Sequence, residues 1–345
     1  MKRLLVIHTG GGLGDVLLST PLVRELRKTY PEAEIDFLAR RSTAAVLRRN
    51  PDIHELMELE GKAPSMPGGV LELAARLRQK NYDAAIILWS VTGLAWTMFL
   101  ARIPRRVGQD SRLGYSFLYT DKVRVRSEHG DDQTHWTEIL LDYGRALGLA
   151  PKDPEVVYEV DPAARQKAIQ LLADCPGRGP LVGFHTGKGM PLTTDRWPVD
   201  AFAAWARQLA VELPCRLVLT GGPDEVELVA AVEKLVGVPC LNLAGKTDLD
   251  TLAAVAEQCQ LFVCPDSGPM HLASAVGTPV VGIYALDEDF PKRWAPFGTR
   301  HRIIRPENRN CRPGCLKATC PDFRCYRQVQ TAEIVKAARE LLEES

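Results

Sequence analysis

The sequence predicts an α/β protein built as two successive doubly wound domains, and three observations carry that expectation. At 345 residues the chain exceeds what one core serves, because single cores stop growing at roughly 250–300 residues. Short apolar runs alternate with stretches of helical period from end to end, as parallel sheets wound with helices require. Ala150-Pro-Lys-Asp-Pro154 then interrupts the alternation with two prolines among polar residues, the composition of a linker. The expected division is 1–155, 156–329 and a closing segment at 330–345.

In the first half Leu4–His8, Ile35–Ala39, Ile53–Leu56 and Ala84–Leu88 read as strands. Val16–Lys28, Thr43–Arg49, Val70–Lys80, Leu94–Leu100 and Trp136–Leu147 read as helices. Pro21 kinks the first helix, or that helix begins at Thr20 with the proline in its first turn. The second half repeats the pattern with strands at Leu181–His185, Arg216–Thr220, Leu261–Cys264 and Val280–Tyr284. Helices are expected at Pro198–Val211, Glu225–Leu235, Leu249–Glu257 and Met270–Val276. Thr331–Glu343, amphipathic through Ile334, Val335, Ala338 and Leu341, is a final helix expected to pack back across the domains. Ligands in such sheets sit outside the carboxyl ends of the strands, so function belongs to the loops there.

Composition excludes several classes. Lys plus Arg and Asp plus Glu balance at 43 each, so no global field favours nucleic acid. The basic start Met1-Lys-Arg leads only to a short apolar run before Thr9 and a glycine cluster, which reads as a buried strand and not a signal peptide. Ala84–Leu100 comes nearest to a membrane span but contains Ser90, Thr92, Gly93 and Thr97. A cytoplasmic monomer is expected, with at most a peripheral role on the inner membrane face.

Gly10-Gly-Gly-Leu-Gly-Asp15 follows the first strand. It is not a dinucleotide fingerprint, because Leu17 takes the third glycine position and Asp15 puts a carboxylate where a pyrophosphate would rest. No Gly-Lys-Ser/Thr follows, so it is not a Walker loop. Asp15 is either a carboxylate presented to a ligand or a helix N-cap, the latter stabilising by ~1 kcal/mol. In the second half, Val182-Gly-Phe-His-Thr-Gly-Lys188 ends a strand with His185, Thr186, Gly187 and the cation Lys188. Thr220-Gly-Gly222-Pro-Asp224 is a second glycine turn. Cys264-Pro-Asp266-Ser267-Gly268-Pro269-Met270-His271 joins a buried strand to a helix. Its serine, unhindered glycine backbone and helix dipole suit a diphosphate, with Asp266 placed to accept from sugar hydroxyls.

Gly14-Asp15, Thr20-Pro-Leu, Tyr30-Pro31, Arg106-Val-Gly108, His185-Thr-Gly187, Arg196-Trp-Pro198, Thr220-Gly-Gly-Pro223 and Asp266-Ser-Gly-Pro-Met-His271 follow one another in an order that resembles glycosyltransferase family 9, the ADP-heptose:lipopolysaccharide heptosyltransferases. The resemblance implies a GT-B fold of two Rossmann-like domains and an inverting transfer that needs no metal cofactor. It implies ADP-heptose as donor on the C-terminal domain and a glycolipid inner-core acceptor on the N-terminal one, with Gly12, Gly14 and Arg106 on the acceptor side. Asp15 would be the general base; His185, Thr186, Gly187, Gly222, Asp266, Ser267, Gly268, Pro269, Met270 and His271 would hold the donor. The lysine that family members often place two before Trp-Pro is Asp195 here, so Arg196 or Lys188 would supply the cation facing the leaving diphosphate. Another nucleotide sugar or glycolipid acceptor, or a scaffold that binds nucleotide sugar without chemistry, are the alternatives.

Arg40, Arg41, Arg48, Arg49, Arg105, Arg106, Arg112, Lys122, Arg124 and Arg126 give the first half a local excess of cations. Such a surface suits a phosphorylated glycolipid or an anionic membrane face, although solvated charges would look the same. Cys311, Cys315, Cys320 and Cys325 are the right number of thiolates for a structural zinc or iron–sulfur centre, at spacings unlike a standard zinc ribbon.

Overall fold

The computed structural model describes residues 1–61, 63–64, 67–187, 192–286, 289–307 and 319–344. The chain forms two compact units, Met1–Tyr158 and Glu159–Ser345.

The first unit holds six parallel strands in the order β3-β2-β1-β4-β5-β6. They are β1 (Arg3–His8), β2 (Glu34–Arg40), β3 (Glu55–Leu59), β4 (Ala84–Ile87), β5 (Arg105–Gln109) and β6 (Asp121–Val123). The central strands β1 and β4 are covered on both faces, which is why they read as unbroken apolar runs. The expected first helix is two: α1 (Leu13–Leu17) and α2 (Thr20–Thr29), with Pro21 in the first turn of the second. Ser19 and Thr20 hydroxyls donate to the Val16 and Leu17 carbonyls, closing the end of α1. The Thr20 hydroxyl also accepts from the Val157 N–H at 2.9 Å, tying the end of the unit back to its start. The short α3 (Arg41–Ala44) follows β2, and α4 (Gly68–Gln79) and α5 (Thr92–Leu100) cover one sheet face over a core of Leu5, Ile7, Leu73, Leu77, Ile87, Leu94 and Met98. The long α6 (Trp136–Arg145) packs on α2.

The second unit repeats the plan. Its order is β12-β11-β10-β7-β8-β9, again all parallel. The strands are β7 (Leu181–His185), β8 (Arg216–Thr220), β9 (Leu241–Asn242), β10 (Leu261–Pro265), β11 (Val280–Ile283) and β12 (His301–Ile304). Counted from its own first strand, the order is 3-2-1-4-5-6, as in the first unit and as in dinucleotide-binding folds. The helices are α7 (Pro162–Leu172), α8 (Val199–Glu212), α9 (Val226–Val236), α10 (Leu249–Gln258), α11 (Gly268–Ala275) and α12 (Thr331–Glu343). Trp197, Phe202, Trp205, Phe323 and Tyr326 form a buried aromatic nest between α8 and the approach to α12. Ile334, Val335, Ala338 and Leu341 of the final helix lie in this unit's own core, against α8 and the strands β10 to β12.

In each unit the strand order reverses beside the first strand, between β1 and β4 and between β7 and β10. The crevice above such a reversal is where open α/β sheets bind ligands. The loops that flank it are those after His8 and Ile87 in one unit, and after His185 and Pro265 in the other.

Candidate functional site

In the first unit, Gly12 is the N-cap of α1 and Asp15 occupies the third helical position. Asp15 is therefore not the cap itself: its Oδ2 reaches back and accepts from the Gly12 N–H at 2.7 Å, the reciprocal half of a capping box. Gly11 has φ +61°, and a Cβ there would lie 2.4 Å from the Asp15 carboxyl carbon. The glycine thus serves the carboxylate twice, by left-handed backbone and by leaving space. Asp15 stays half-buried and reachable from solvent. Arg40, at the end of β2, donates to the Gly11 carbonyl and braces the loop from below.

Gly10 faces the end of β4 across the reversal. A Cβ on it would sit 1.9 Å from the Trp89 ring, so the indole lies flush on the loop backbone. The His8 ring, fully buried, lies 6.1 Å from that of Trp89. Burial pushes the His8 pKa down to about 4, and the Arg40 guanidinium pushes the same way, against a weaker upward pull from nearby backbone carbonyls. Neither ring nitrogen has a hydrogen-bond partner among the described residues.

Beside Trp89 opens a cavity of about 170 Å³. Trp89 and Ser90 after β4, Gln109 at the end of β5 and Arg112 beyond it, Glu128, and Trp136 and Tyr143 of α6 form its walls. The polar wall is pre-ordered: Gln109 Nε2 donates to the Ser111 hydroxyl at 3.1 Å, which donates to Glu128 at 2.9 Å, and Arg112 pairs with the same carboxylate. Tyr115 and Tyr119 donate to the Ser90 carbonyl and hydroxyl at 3.0 and 3.2 Å. An aromatic surface edged by a fixed Arg–Glu pair and amide is suited to a polyhydroxylated ring. None of these residues was legible as a group, because they come from four separate stretches of chain.

Arg106 does not join them. Its guanidinium donates to the Leu118 and Ile103 carbonyls at 2.7 and 2.6 Å and lies over the Phe99 ring, 5.6 Å from its centre. In register with Ala85, and through it with Leu5, it stands well short of the carboxyl edge. Gly12 and Gly14 act through backbone, Gly12 as the exposed cap and Gly14 buried within α1.

In the second unit, β7 ends in His185 and Thr186 follows it, both buried. His185 Nδ1 lies 3.1 Å from the Thr220 hydroxyl, and Nε2 is 3.8 Å from Glu225 Oε2. Burial lowers its pKa, opposed by the Glu225 carboxylate. The Thr186 hydroxyl is buried with no partner among the described residues, while its carbonyl accepts from the Trp197 indole at 2.8 Å. Glu225, which the motif reading passed over, repeats the device at Asp15: its Oε2 accepts from the Gly222 N–H at 2.8 Å, three residues back. The pattern Gly-x-x-Glu was the available signal. A Cβ at Gly187 would fall 1.6 Å from Glu225 Oε1, so the carboxylate is walled in against the loop after β7.

The loop after β10 divides into two parts. Asp266, Ser267, Gly268 and Pro269 are half-buried and face outward; Met270 and His271 are buried. Ser267 is the N-cap of α11 by position, but its hydroxyl donates to the Pro265 carbonyl at 3.0 Å; Pro269 has no N–H and that of Met270 donates to the Ser267 carbonyl at 3.1 Å, which leaves the Gly268 N–H to another acceptor. Met270 is spent on the core, its sulfur 3.3 Å from the Tyr284 hydroxyl, so its side chain cannot touch a ligand. Arg196 donates to the Cys320 carbonyl at 2.8 Å and lies 5.8 Å from the centre of the Phe323 ring. Asp195 is exposed, with the Thr193 hydroxyl holding its carboxyl below the usual carboxylate range.

Lys188, Cys311 and Cys315 lie outside the described residues. Cys320 and Cys325 are buried, and the Cys320 sulfur accepts from the Phe323 N–H at 3.2 Å. Among the described residues no three His, Cys, Asp or Glu side chains are grouped as metal ligands are, and no helix is long and apolar enough to cross a membrane.

Comparison with known proteins agrees with this anatomy. The chain is 29% identical to the lipopolysaccharide heptosyltransferase 2 of Salmonella typhimurium, over 85% of each. The glycosyl transferase family 9 structure from Veillonella parvula superposes with a TM-score of 0.82 at 24% identity, covering 100% of this chain and 98% of that one. The E. coli ADP-heptose LPS heptosyltransferase II follows at 0.76 and 24%, covering 100% of both. These two likenesses are of fold, and the fold is GT-B. Residues 70–324 match the family model of glycosyltransferase family 9 (heptosyltransferase); with that match spanning most of its length, the chain belongs to this family and is a glycosyltransferase.

Proposed function

We propose that the protein transfers heptose from ADP-heptose to an inner-core sugar of lipopolysaccharide, inverting the anomeric centre without a catalytic metal. The observation that carries the proposal is the Asp15 carboxylate, held at 2.7 Å by the Gly12 N–H at the strand reversal of the first unit, on a loop whose Gly10 packs against Trp89, a wall of the cavity. The names of relatives, a lipopolysaccharide heptosyltransferase 2 and an ADP-heptose LPS heptosyltransferase II, support the choice of donor and acceptor.

Asp15 takes the proton of the acceptor hydroxyl. The hydroxyl oxygen bonds to the anomeric carbon while the bond from that carbon to the diphosphate oxygen breaks, and ADP leaves with the electron pair. The acceptor sugar rests on Trp89 between Gln109 and the Arg112–Glu128 pair, in place of the Arg106 contact that the motif suggested. The donor diphosphate takes the Gly268 N–H at the positive end of α11, and Asp266 accepts from the heptose hydroxyls. With Arg196 turned to Cys320, the cation role at the leaving phosphate falls to Lys188.

One assay tests the reading: purified protein with ADP-heptose, a deacylated inner-core acceptor and chelator, following ADP release and the anomeric configuration of the product. Acceptor-dependent ADP release with inverted product is expected. ADP-heptose turnover that ignores the acceptor, a retained configuration, or abolition by chelator each defeats it, and binding of ADP without any transfer would mark a scaffold.

A further inference from the structure

Helix α5 is apolar nearly all round, yet only part of it is covered. Leu94, Ala95 and Met98 are buried toward the sheet and α4, whereas Phe99 is 44% exposed. The Trp96 ring stands edge-on to both Phe99 and Phe117, at 5.8 and 6.2 Å, joining the helix to the turn after β5 in one aromatic cluster. Phe117 is 65% exposed, and Leu113, on the same turn, is wholly exposed. Single exposed apolar residues are ordinary; a joined cluster of them is not.

The same stretch is strongly basic in a chain of zero net charge. Between 99 and 126 stand Arg102, Arg105, Arg106, Arg112, Lys122, Arg124 and Arg126 against Asp110 and Asp121 alone. Arg105, Arg112 and Arg126 are spent on Asp121, Glu128 and Asp142. Arg102, Lys122 and Arg124 are exposed and make no ion pair among the described residues. Lys122 lies in register with Gly108, two residues from Arg106, so it shares the sheet face of Arg106 and α5. Exposed Phe and Leu accompanied in one stretch by exposed, unpaired cations of one sign is the pattern of an interfacial membrane contact. A protein partner would instead call for an interface core depleted of charge.

We propose that this face docks on an anionic phospholipid bilayer, with Phe117, Leu113 and Phe99 entering the headgroup–acyl boundary and Arg102, Lys122 and Arg124 holding lipid phosphates. The proposal rests on the transferase reading for its purpose, since it brings Arg112, the neighbour of Leu113 and a wall of the acceptor cavity, to the surface from which a lipid-anchored sugar emerges.

Flotation with phosphatidylethanolamine vesicles containing phosphatidylglycerol, compared with phosphatidylcholine vesicles, tests it. The wild-type protein should float with the anionic vesicles, be released by high salt, and ignore the neutral ones. Each cation removed should weaken binding about fivefold, so the triple variant Arg102→Gln, Lys122→Gln, Arg124→Gln should bind about a hundredfold more weakly. The pair Leu113→Ser, Phe117→Ser should lose about tenfold or more and keep its salt sensitivity. Wild-type protein that fails to float, floats equally with neutral vesicles, or is matched by either variant overturns the proposal. So does a self-associating protein whose dimer is lost in the Leu113, Phe117 variant while vesicles are ignored. ADP binding and transfer to the deacylated acceptor should be unchanged in both variants, and a failure of those in the wild type would count against the transferase reading alone.

Discussion

Replacing Asp15 by Asn and by Ala separates the two things its carboxylate does. In the structure Oδ2 accepts a hydrogen bond from Gly12 N–H at 2.7 Å, at a half-buried site with Gly11 leaving the space beside it. Asn keeps the shape and an acceptor oxygen, so only the charge-assisted part of that bond is lost, about 0.5–1 kcal/mol. Ala removes the acceptor; because Gly12 is exposed its N–H turns to water, and the cost is about 1 kcal/mol. Neither change unfolds a protein of ordinary stability. Both would remove the proposed base, and a positioned base contributes roughly 10²–10⁴ in rate, or about 3–5 kcal/mol of barrier. Steady-state ADP release should therefore fall equally in the two variants, while melting temperature separates them slightly and ADP affinity by calorimetry stays put. An Asn variant that transfers within tenfold of wild type refutes the base and leaves Asp15 as a capping residue only.

His8 titrates at about 4 when folded against 6.5 when unfolded, so protons favour the unfolded chain. Stability is intact above pH 6.5 and declines as pH falls, by about 3 kcal/mol once pH passes below the folded value. His8→Leu should therefore gain on wild type in urea melts as the buffer is acidified, and parallel loss would show that His8 is not the group. Gly187→Ala sets a Cβ 1.6 Å from Glu225 Oε1 and should cost about 2 kcal/mol or more; combining it with Glu225→Ala should cost less than the sum, and strict additivity would deny the contact. Trp89→Ala removes a wall of the cavity and should raise the acceptor KM about tenfold or more with ADP affinity unchanged; an unchanged KM would move the acceptor elsewhere.

The strands that matter most were the easiest to read. Leu4–His8, Ala84–Leu88, Leu181–His185 and Val280–Tyr284 agree with β1, β4, β7 and β11 to within a residue or so, because strands covered on both faces must be apolar throughout. The outer strands were not. Arg105-Arg-Val-Gly-Gln109 and Asp121-Lys-Val123 each carry a single large apolar residue, and their strand character comes from the neighbour they pair with. Helix α7 was missed although its cues were present, with Pro162 at the first position and Asp161 accepting from Ala163 at 2.8 Å. The glycine loops were legible because strand, glycine and helix are consecutive in sequence. The cavity was not, since Trp89, Gln109, Glu128 and Tyr143 meet only after the sheet is assembled.

The two units show why a motif locates a carboxylate more readily than it assigns its work. Gly12-x-x-Asp15 and Gly222-x-x-Glu225 are the same local device, each with an acid three residues on accepting from a glycine N–H, at 2.7 and 2.8 Å. What differs is what surrounds the acid. Glu225 is largely buried, set against His185 and closed off by the backbone at Gly187; its carboxylate orders the turn after β8. Asp15 is half-buried at the strand reversal where a ligand would lie, on a loop whose Gly10 packs against Trp89, a wall of the cavity. An acid that has satisfied a helix end still has lone pairs to use, and whether it can use them is decided by access. The cap and the base are thus not rival readings of Asp15. The hydrogen bond from Gly12 sets the direction of the Asp15 carboxylate, and a fixed direction is what proton removal by the proposed base would require.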